Sequence, residues 1–274
     1  MYSKQDLMND LKEMGLQPTD TVLVHSSYKS IAGDRGIEGG AETVIDAFIE
    51  YFGKDGLIVF PTLTWKFGFS FNDQGEFICD EVGNDEYKPY GNRFDVRNTD
   101  CRELGILPEL FRRREGVIRS LSATHSVAAF GKDAKAFCEG NEKVKTTLGW
   151  DSPWGKFYDR NAKMLFLGTT MACNTYMHVL EERANVPGLI EPTVYHYEIV
   201  DYDGKVIPVE IRRHEPGHSH YFDKVRPELT AAGIVKDAMF GSAVTQVVDV
   251  RAETDYMMKK FKEEPFIFFH EYNQ

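Results

Sequence analysis

The sequence has few cysteines, a deficit of positive charge and no long apolar run. Its 274 residues include four cysteines, and no two of them form a C-x-x-C pair, so we expect reduced thiols. No window approaches the roughly 18 consecutive apolar residues of a membrane span. Acids and lysines occupy the N-terminal segment MYSKQDLMNDLKEMG, where a signal peptide would be apolar. These absences predict a soluble cytoplasmic protein that does not contact a membrane.

The charge balance is acidic. Lys and Arg number 32 against 43 Asp and Glu, a net charge of −11. A nucleic-acid groove depends on clustered Lys and Arg, so we expect no nucleic-acid partner. An acidic chain suits a cationic ligand better, although net charge bears first on solubility. Apolar residues make up 42% of the chain, which is enough for a sizeable core.

Apolar strands alternate with amphipathic helices along the chain. TVLVH at 21–25 and LIVFP at 57–61 are short apolar runs, and GGAETVIDAFIEYFG at 39–53 has helical periodicity between glycines. Strand, helix, strand is a βαβ unit, which builds a parallel sheet covered on both faces. A DYDG turn between two alternating stretches predicts a β-hairpin at about 193–213. We expect one α/β domain over residues 1–274, with three α/β/α layers, a mixed and largely parallel sheet, and the hairpin as an excursion.

The loop HSSYKSIAG, residues 25–33, follows the first predicted strand directly. Hydroxyls and glycines between a strand and a helix present free backbone donors that can bind phosphate. The pattern is neither G-x-G-x-x-G nor a P-loop. Serine and glycine are also ordinary turn formers, so a purely structural loop stays open as an alternative.

The segment NTYMHVLEER, residues 174–183, predicts a helix with Asn174 or Thr175 at its start. His178 and Glu181 are then three residues apart and lie on one helical face. A carboxylate beside an imidazole fixes its tautomer, which makes a plausible general base. An exposed His and Glu on a solvated face is the alternative, and we expect Glu182 and Arg183 to be surface charge.

Two further segments could bind ligands. In RSLSATHSVAAFG, residues 119–131, Arg119 could bind a phosphate and the backbone at the strand end could hold an extended ligand. His125 fits a satisfied histidine at a strand edge equally well. In WDSPWGKFY, residues 150–158, Asp151 lies in a predicted turn and could contact a cation.

The stretch HEPGH, residues 214–218, has the H-E-x-x-H pattern of zinc peptidases. That chemistry needs both histidines on one helical turn, whereas Pro216 and Gly217 disfavour a helix. We therefore expect a turn with surface histidines after the hairpin. A zinc hydrolase using His214, His218 and His220 remains an alternative function.

Eight blocks in order, VHSSYKSIAG, GGAETVIDAF, LIVFPTLTW, LGILPELFRR, RSLSATHSVAAFG, DSPWGKFY, MLFLG and HVLEE, resemble the aminoglycoside 3-N-acetyltransferase family. The resemblance runs from about residue 5 to beyond residue 185. It implies direct acetyl transfer from acetyl-coenzyme A to the 3-amino group of an aminoglycoside, in a fold distinct from the GNAT acetyltransferases and without a metal. A cationic amine would be the second substrate.

The resemblance also implies residue roles. His178 would take a proton from the amine, with Glu181 as its carboxylate partner, and Thr62 and Thr64 would lie near the acceptor and the thioester. The coenzyme A contacts would be Ser26, Ser27, Tyr28, Ser30, Arg119, Thr124, His125 and Ser126.

Other functions remain open from the sequence. A member of the same family could acetylate a different amine, such as an amino sugar or an aminated metabolite. A non-catalytic coenzyme A-binding or sugar-binding protein would carry similar loops. Cys173 could be a nucleophile, but nothing near it in the sequence lowers its pKa.

Overall fold

A computed structural model describes residues 1–64, 70–71, 77–78, 93–214 and 218–269. The strands are β1 (Thr21–Ser26), β2 (Leu57–Pro61), β3 (Ser70–Phe71), β4 (Phe77–Ile78), β5 (Arg93–Asp95), β6 (Ile118–Arg119), β7 (Val127–Gly131), β8 (Lys163–Leu167), β9 (Ile190–Val200), β10 (Val206–His214), β11 (Val235–Phe240) and β12 (Ala243–Asp249). The α-helices are α1 (Lys4–Glu13), α2 (Tyr28–Ala32), α3 (Ala41–Phe52), α4 (Ile106–Phe111), α5 (Ala134–Cys138), α6 (Lys156–Asp159), α7 (Thr175–Arg183), α8 (Arg226–Ala231) and α9 (Val250–Glu263).

A seven-stranded sheet in the order β11-β12-β8-β1-β2-β7-β6 forms the centre of the fold. Its three middle strands are parallel, with β1 between β2 and β8. Antiparallel strands extend the sheet on both sides. The predicted mixed sheet with a βαβ unit at its centre is confirmed. The carboxyl ends of β1, β2 and β8 meet at one edge, where ligands of α/β sheets usually bind.

Helices cover both faces of this sheet. On one face, Phe48 of α3 packs in a buried cluster with Val22 and Val24 of β1. On the other, Met257 of α9 shares a cluster with Leu23 of β1. Alternate residues of β1 therefore point to opposite cores, as a central strand requires. This is the predicted three-layer α/β/α arrangement.

The predicted hairpin is confirmed as β9 and β10. The carboxylate of Asp201 accepts hydrogen bonds from the backbone N–H groups of Asp203 and Lys205, both at 2.9 Å, and Gly204 takes a φ of 79°. This turn chemistry joins the two strands. β5 adds a parallel third strand beside β9, which the sequence did not indicate. β10 ends at His214, and the ring of this histidine contacts Glu182 of α7.

Among the described residues, no helix is both long and apolar enough to cross a bilayer. The assignment of residues 1–274 to one domain stays a prediction.

Candidate active site

Helix α7 lies at the edge where the parallel strands end, because it follows β8 after a short loop. Asn174 caps it: its Oδ1 accepts from the N–H of Met177 at 3.1 Å, and its Nδ2 donates to Glu253 of α9 at 2.9 Å. Unpaired N–H groups at a helix start need such a partner. The cap predicted from the sequence is confirmed, and it ties α7 to the buried side of α9.

His178 and Glu181 meet on one face of α7, as their spacing predicts. The Nδ1 atom of His178 lies 2.8 Å from Oε2 of Glu181. The Glu181 side chain is fully buried, whereas the ring of His178 is 19% exposed. When Nδ1 donates to the carboxylate, Nε2 carries the lone pair of the neutral ring. Burial lowers the pKa of His178 despite the opposing hydrogen bond from Glu181, so the ring is ready to accept a proton.

A second imidazole reaches the same carboxylate. The Nε2 atom of His218 lies 3.0 Å from Oε1 and 3.1 Å from Oε2 of Glu181. Its ring stacks on Phe269, with centroids 4.5 Å apart, and meets the ring of His178 edge to face at 5.1 Å. Burial raises the pKa of Glu181, but the two ring hydrogen bonds outweigh it and lower this pKa to about 2. Glu181 is therefore an ionised carboxylate shared by two rings.

The prediction that the histidines of HEPGH lie on the surface is wrong. His218 is 6% exposed, and the side chain of His214, at the end of β10, is 9% exposed and lies 2.8 Å from Glu182. Residues 215–217, where a turn was predicted, lie outside the described part of the chain. The end of the hairpin folds against α7, a tertiary contact that local sequence does not reveal. Neither a zinc-peptidase helix nor a single site for His214, His218 and His220 is formed by the described residues.

Of the two residues predicted to be surface charges, Arg183 is exposed and Glu182 is half-buried. Glu182 accepts hydrogen bonds from Thr146 and lies against His214. The guanidinium of Arg183 stacks over Trp150, 3.4 Å from the ring centroid. Both side chains therefore help to pack the carboxyl end of α7.

In the serine-rich loop, some hydroxyls bond to the chain itself and one has no partner among the described residues. Ser27 caps α2 by accepting from the N–H of Ser30 at 3.3 Å, and the two hydroxyls lie 3.0 Å apart. Ser26 Oγ is buried and has no hydrogen-bond partner among the described residues. The same is true of Thr169 Oγ1 in the loop after β8. The two loops pack closely, since a Cβ on Gly168 (φ 67°) would lie 2.3 Å from Cβ of Ser30. Tyr28 packs at the margin of one core.

Arg119 is 2% exposed, and its donors bind protein atoms. Its Nε lies 3.2 Å from Thr62 Oγ1 and 3.1 Å from Ser126 Oγ, and a terminal nitrogen donates to the Thr62 carbonyl at 2.8 Å. The guanidinium also lies over the ring of Phe94. Burial lowers the pKa of Arg119 to about 10, so it stays charged at neutral pH. This placement favours a structural role over the predicted grip on a phosphate.

The T-H-S block lies beside the helix that carries His178. His125 is half-buried, and its pKa falls well below the ordinary value because of desolvation and of the nearby charges of Arg213, His214 and His178. Its Nδ1 and the hydroxyl of Thr124 are buried without a partner among the described residues. Buried polar groups are normally paired, so these atoms are suited to meet a ligand. The hydroxyl of Thr64, in contrast, donates to the Ala123 carbonyl at 2.6 Å.

His25 is a site candidate that sequence reasoning did not single out. Its ring stacks on Phe166 with centroids 5.1 Å apart, its Nε2 is buried without a partner among the described residues, and burial lowers its pKa to about 3. It precedes Ser26, the last residue of β1, and this position at the carboxyl end of a central strand was the available signal.

Two other predicted contacts are less central. Asp151 is exposed on the turn before α6, and its contact with an acceptor stays a prediction. Cys173 is an exposed residue. Partial desolvation of its thiol, and then the negative charge of Asp223, raise the pKa of that thiol. A thiol with a raised pKa is a poor nucleophile. The sequence also offers an acid-rich stretch to a cationic acceptor. Its acids Asp80, Glu81, Asp85 and Glu86 lie outside the described residues.

Comparison with known proteins identifies the family of this chain. The sequence model of the family described as aminoglycoside 3-N-acetyltransferase matches residues 23–262. The SPbeta prophage-derived aminoglycoside N(3')-acetyltransferase-like protein YokD of Bacillus subtilis is 28% identical over 94% of this chain and 92% of its own length. Aminoglycoside N(3)-acetyltransferase VII of Streptomyces paromomycinus is 27% identical over 91% and 88%. The structure of AAC-IIIb in binary complex with CoASH shares the fold, with a TM-score of 0.77, 22% identity and coverage of 96% and 97%. The chain therefore belongs to the aminoglycoside 3-N-acetyltransferase family, whose members are acetyl-coenzyme A-dependent acyltransferases.

Proposed function

We propose that the protein acetylates the 3-amino group of an aminoglycoside by direct transfer from acetyl-coenzyme A, with His178 as the general base. The observation that carries this proposal is the buried, ionised Glu181 against Nδ1 of His178, which leaves the lone pair of the neutral ring on Nε2. Membership of the acetyltransferase family supports the reaction class. The named activity of the Streptomyces relative supports the acceptor.

The acceptor amine is an ammonium ion at neutral pH and must lose a proton before it can attack. Neutral His178 accepts that proton at Nε2, and base catalysis of this kind contributes about 10²–10⁴-fold. Glu181 offsets the positive charge that develops on the ring. His218 holds the other side of the same carboxylate, so we assign it a positioning role.

The amine nitrogen then forms a bond to the acetyl carbonyl carbon. The tetrahedral intermediate collapses as the carbon–sulfur bond breaks, and the sulfur leaves with the electron pair. The proton held by His178 passes to that sulfur, and the former amine nitrogen releases its remaining extra proton to solvent. A neutral amide and coenzyme A are released, and the ring is neutral again. The hydroxyl of Thr124, buried and unpaired among the described residues, is suited to donate to the oxyanion.

Coenzyme A is proposed to bind where β1, β2 and β8 end. Ser26 is the last residue of β1, and Thr124 lies just beyond β2, because its carbonyl accepts from the N–H of Thr64 at 2.7 Å. The hydroxyls of Ser26 and Thr124 and the Nδ1 atom of His125 have no partner among the described residues. Ser126 and Arg119 already bind protein atoms, so their predicted contacts with coenzyme A would require these bonds to rearrange. The hydroxyl of Ser27 accepts from Ser30 and can still donate to a ligand, and the hydroxyl of Ser30 can still accept.

The acceptor is proposed to enter from the hairpin side. A cavity of about 680 Å³ between α7 and the hairpin is lined by Glu182 and Glu210, together with Lys145 and Arg212. Glu182 contacts His214, whose ring centroid lies 5.4 Å from that of His178. Carboxylates at this place suit an ammonium-bearing acceptor.

The test is a panel of amines assayed for thiol release from acetyl-coenzyme A. We expect turnover with aminoglycosides that have a free 3-amino group and none with analogues that lack it. Turnover confined to simple amino sugars or other amines would support the alternative acceptor. Tight coenzyme A binding with no thiol release for any amine would support a binding protein instead.

A further inference from the structure

We propose that His178, Glu181 and His218 also form a binding site for a zinc ion, and that zinc bound there inhibits acetyl transfer. One ligand atom from each of these residues lies within 4.8 Å of the other two. Two imidazoles and one glutamate are the ligand set of many catalytic zinc sites. The binding of zinc does not depend on the proposed function, whereas its inhibitory effect does.

The distances suit a small tetrahedral ion. Nδ1 of His178 and Nε2 of His218 lie 2.8 Å and 3.0 Å from the Glu181 oxygens. Zinc bonds to nitrogen and oxygen at about 2.0–2.2 Å, which places neighbouring tetrahedral ligands roughly 3.3 Å apart. Each nitrogen–oxygen pair therefore has to separate by only a few tenths of an ångström, and the two ring nitrogens already lie within 4.8 Å of each other. The fourth position would face the exposed side of His178.

Zinc binding requires a change of tautomer. Without metal, each ring nitrogen next to Glu181 carries the proton that it donates to the carboxylate. Ligation through those nitrogens moves the proton of His178 to Nε2 and that of His218 to Nδ1, with no net proton release from neutral rings. A protonated Nε2 cannot accept a proton from an amine. Zinc at this site would thus remove the base even if the acceptor could still enter.

Burial and rigidity favour this site over the loop histidines. Glu181 is fully buried and the His218 side chain is 8% exposed, and Phe222 and Phe269 pack against the rings. His214 is directed to Glu182 instead, so the two histidines of HEPGH approach different carboxylates. His220 is exposed and is not part of the group of three.

The experiment measures metal binding to the full chain by zinc calorimetry and by the visible absorption of cobalt(II) at a tetrahedral site. We expect one equivalent of zinc to bind, with acetylation lost in parallel and restored by a chelator. His218→Gln keeps an N–H donor for Glu181 but removes a metal ligand, so we expect zinc to bind at least about 10–100-fold more weakly. His220→Ala is the control, and we expect unchanged affinity and unchanged inhibition.

Several results would overturn the proposal. Absence of zinc binding to the wild-type chain, or equal affinity in wild type and folded His218→Gln, removes the site. Loss of binding in His220→Ala but not in His218→Gln points to the loop. If His218→Gln fails to fold, as judged by thermal melting, His178→Gln takes its place. Bound zinc with undiminished acetylation removes the inhibition, whereas zinc binding at this cluster in a chain that acetylates no amine leaves the site intact and refutes the proposed function.

Discussion

His218 lies against the carboxylate of Glu181 at 3.0 Å, although 37 residues separate them in the chain. This contact makes the carboxylate of α7 a hydrogen-bond acceptor for two imidazoles. It brings the end of the hairpin and the H-x-x-E helix into one cluster. The predictions that follow depend on that cluster and on the buried polar groups around it.

Replacing the proposed base should stop the chemistry and leave coenzyme A binding almost unchanged. For His178→Ala we expect turnover to fall by about 10²–10⁴-fold, measured by thiol release at saturating substrates. Calorimetry should give nearly the wild-type affinity for coenzyme A. His196→Ala, on the exposed part of the hairpin, is the matched control. Retention of most of the turnover number in His178→Ala would remove His178 as the base.

Removal of the His218 ring should lower stability and turnover because Glu181 loses a hydrogen-bond donor. His218→Ala leaves a buried carboxylate with one ring partner, so we expect a loss of about 1–3 kcal/mol in the free energy of unfolding. We expect kcat to fall while KM for the acceptor changes little, because His218 positions Glu181 without touching substrate. His218→Gln restores a donor and should recover part of the lost kcat. Equal kinetic defects in the Ala and Gln variants would contradict the positioning role.

Variants of Ser26 and Ser27 should have different effects, one on coenzyme A affinity and the other on stability. Ser26→Ala removes a hydroxyl with no partner among the described residues, so we expect wild-type stability and coenzyme A affinity weakened by roughly 2- to 10-fold, the size of one hydrogen bond. Ser27→Ala removes the cap of α2 and should cost about 0.5–2 kcal/mol of stability. Denaturation and calorimetry on the pair measure both. An unchanged affinity in Ser26→Ala would place coenzyme A elsewhere.

Arg119 should behave as a structural residue. Lysine cannot reproduce the contacts of its guanidinium with Thr62 and Ser126, so for Arg119→Lys we expect a loss of about 1–3 kcal/mol in the free energy of unfolding. Coenzyme A and acceptor affinities should weaken together. Weaker coenzyme A binding in a variant of undiminished stability would instead support the phosphate contact predicted from the sequence.

Glu253 should make stability depend on pH. It is fully buried, Asn174 donates to its Oε1 at 2.9 Å, and burial raises its pKa from 4.5 to about 8. The folded state therefore keeps a proton that the unfolded chain loses above about pH 4.5. Its contribution to stability is complete below that pH and declines as pH rises toward about 8.

The variant Glu253→Gln has no proton to lose at this position. We expect its free energy of unfolding to rise relative to the wild type between about pH 4.5 and 8, by an amount on the order of a few kcal/mol, and then to level off. Urea denaturation across this range measures the difference. Glu263→Gln, on the exposed side of the same helix, is the matched control. A difference that does not change with pH would mean that Glu253 is ionised in the folded protein.

Local pattern predicted much of the scaffold. The apolar runs at 21–25 and 57–61 became central parallel strands, and the DYDG turn closed the hairpin, because side-chain periodicity and turn chemistry act over a few residues. Asn174 caps α7 as expected. The third strand beside the hairpin was missed, since β5 is three residues long and pairs with a segment about one hundred residues away.

The positions of the histidines in HEPGH could not be predicted from local pattern. Rejecting it as a zinc-peptidase helix was sound, because its first histidine ends a strand. The expectation of surface histidines was wrong, because His218 is buried against Glu181 and His214 lies against Glu182. Which carboxylate each ring would meet depended on how the hairpin docks on α7.

The sequence by itself determined that His178 and Glu181 share a helical face, because residues three apart on an α-helix are neighbours wherever the helix lies. Only the tertiary structure decided that Glu181 is buried, that His218 shares it and that Arg119 is enclosed by its own chain. Burial and pairing arise when segments distant in sequence pack together and exclude water. That packing sets the charge state of the groups on which the proposed chemistry depends.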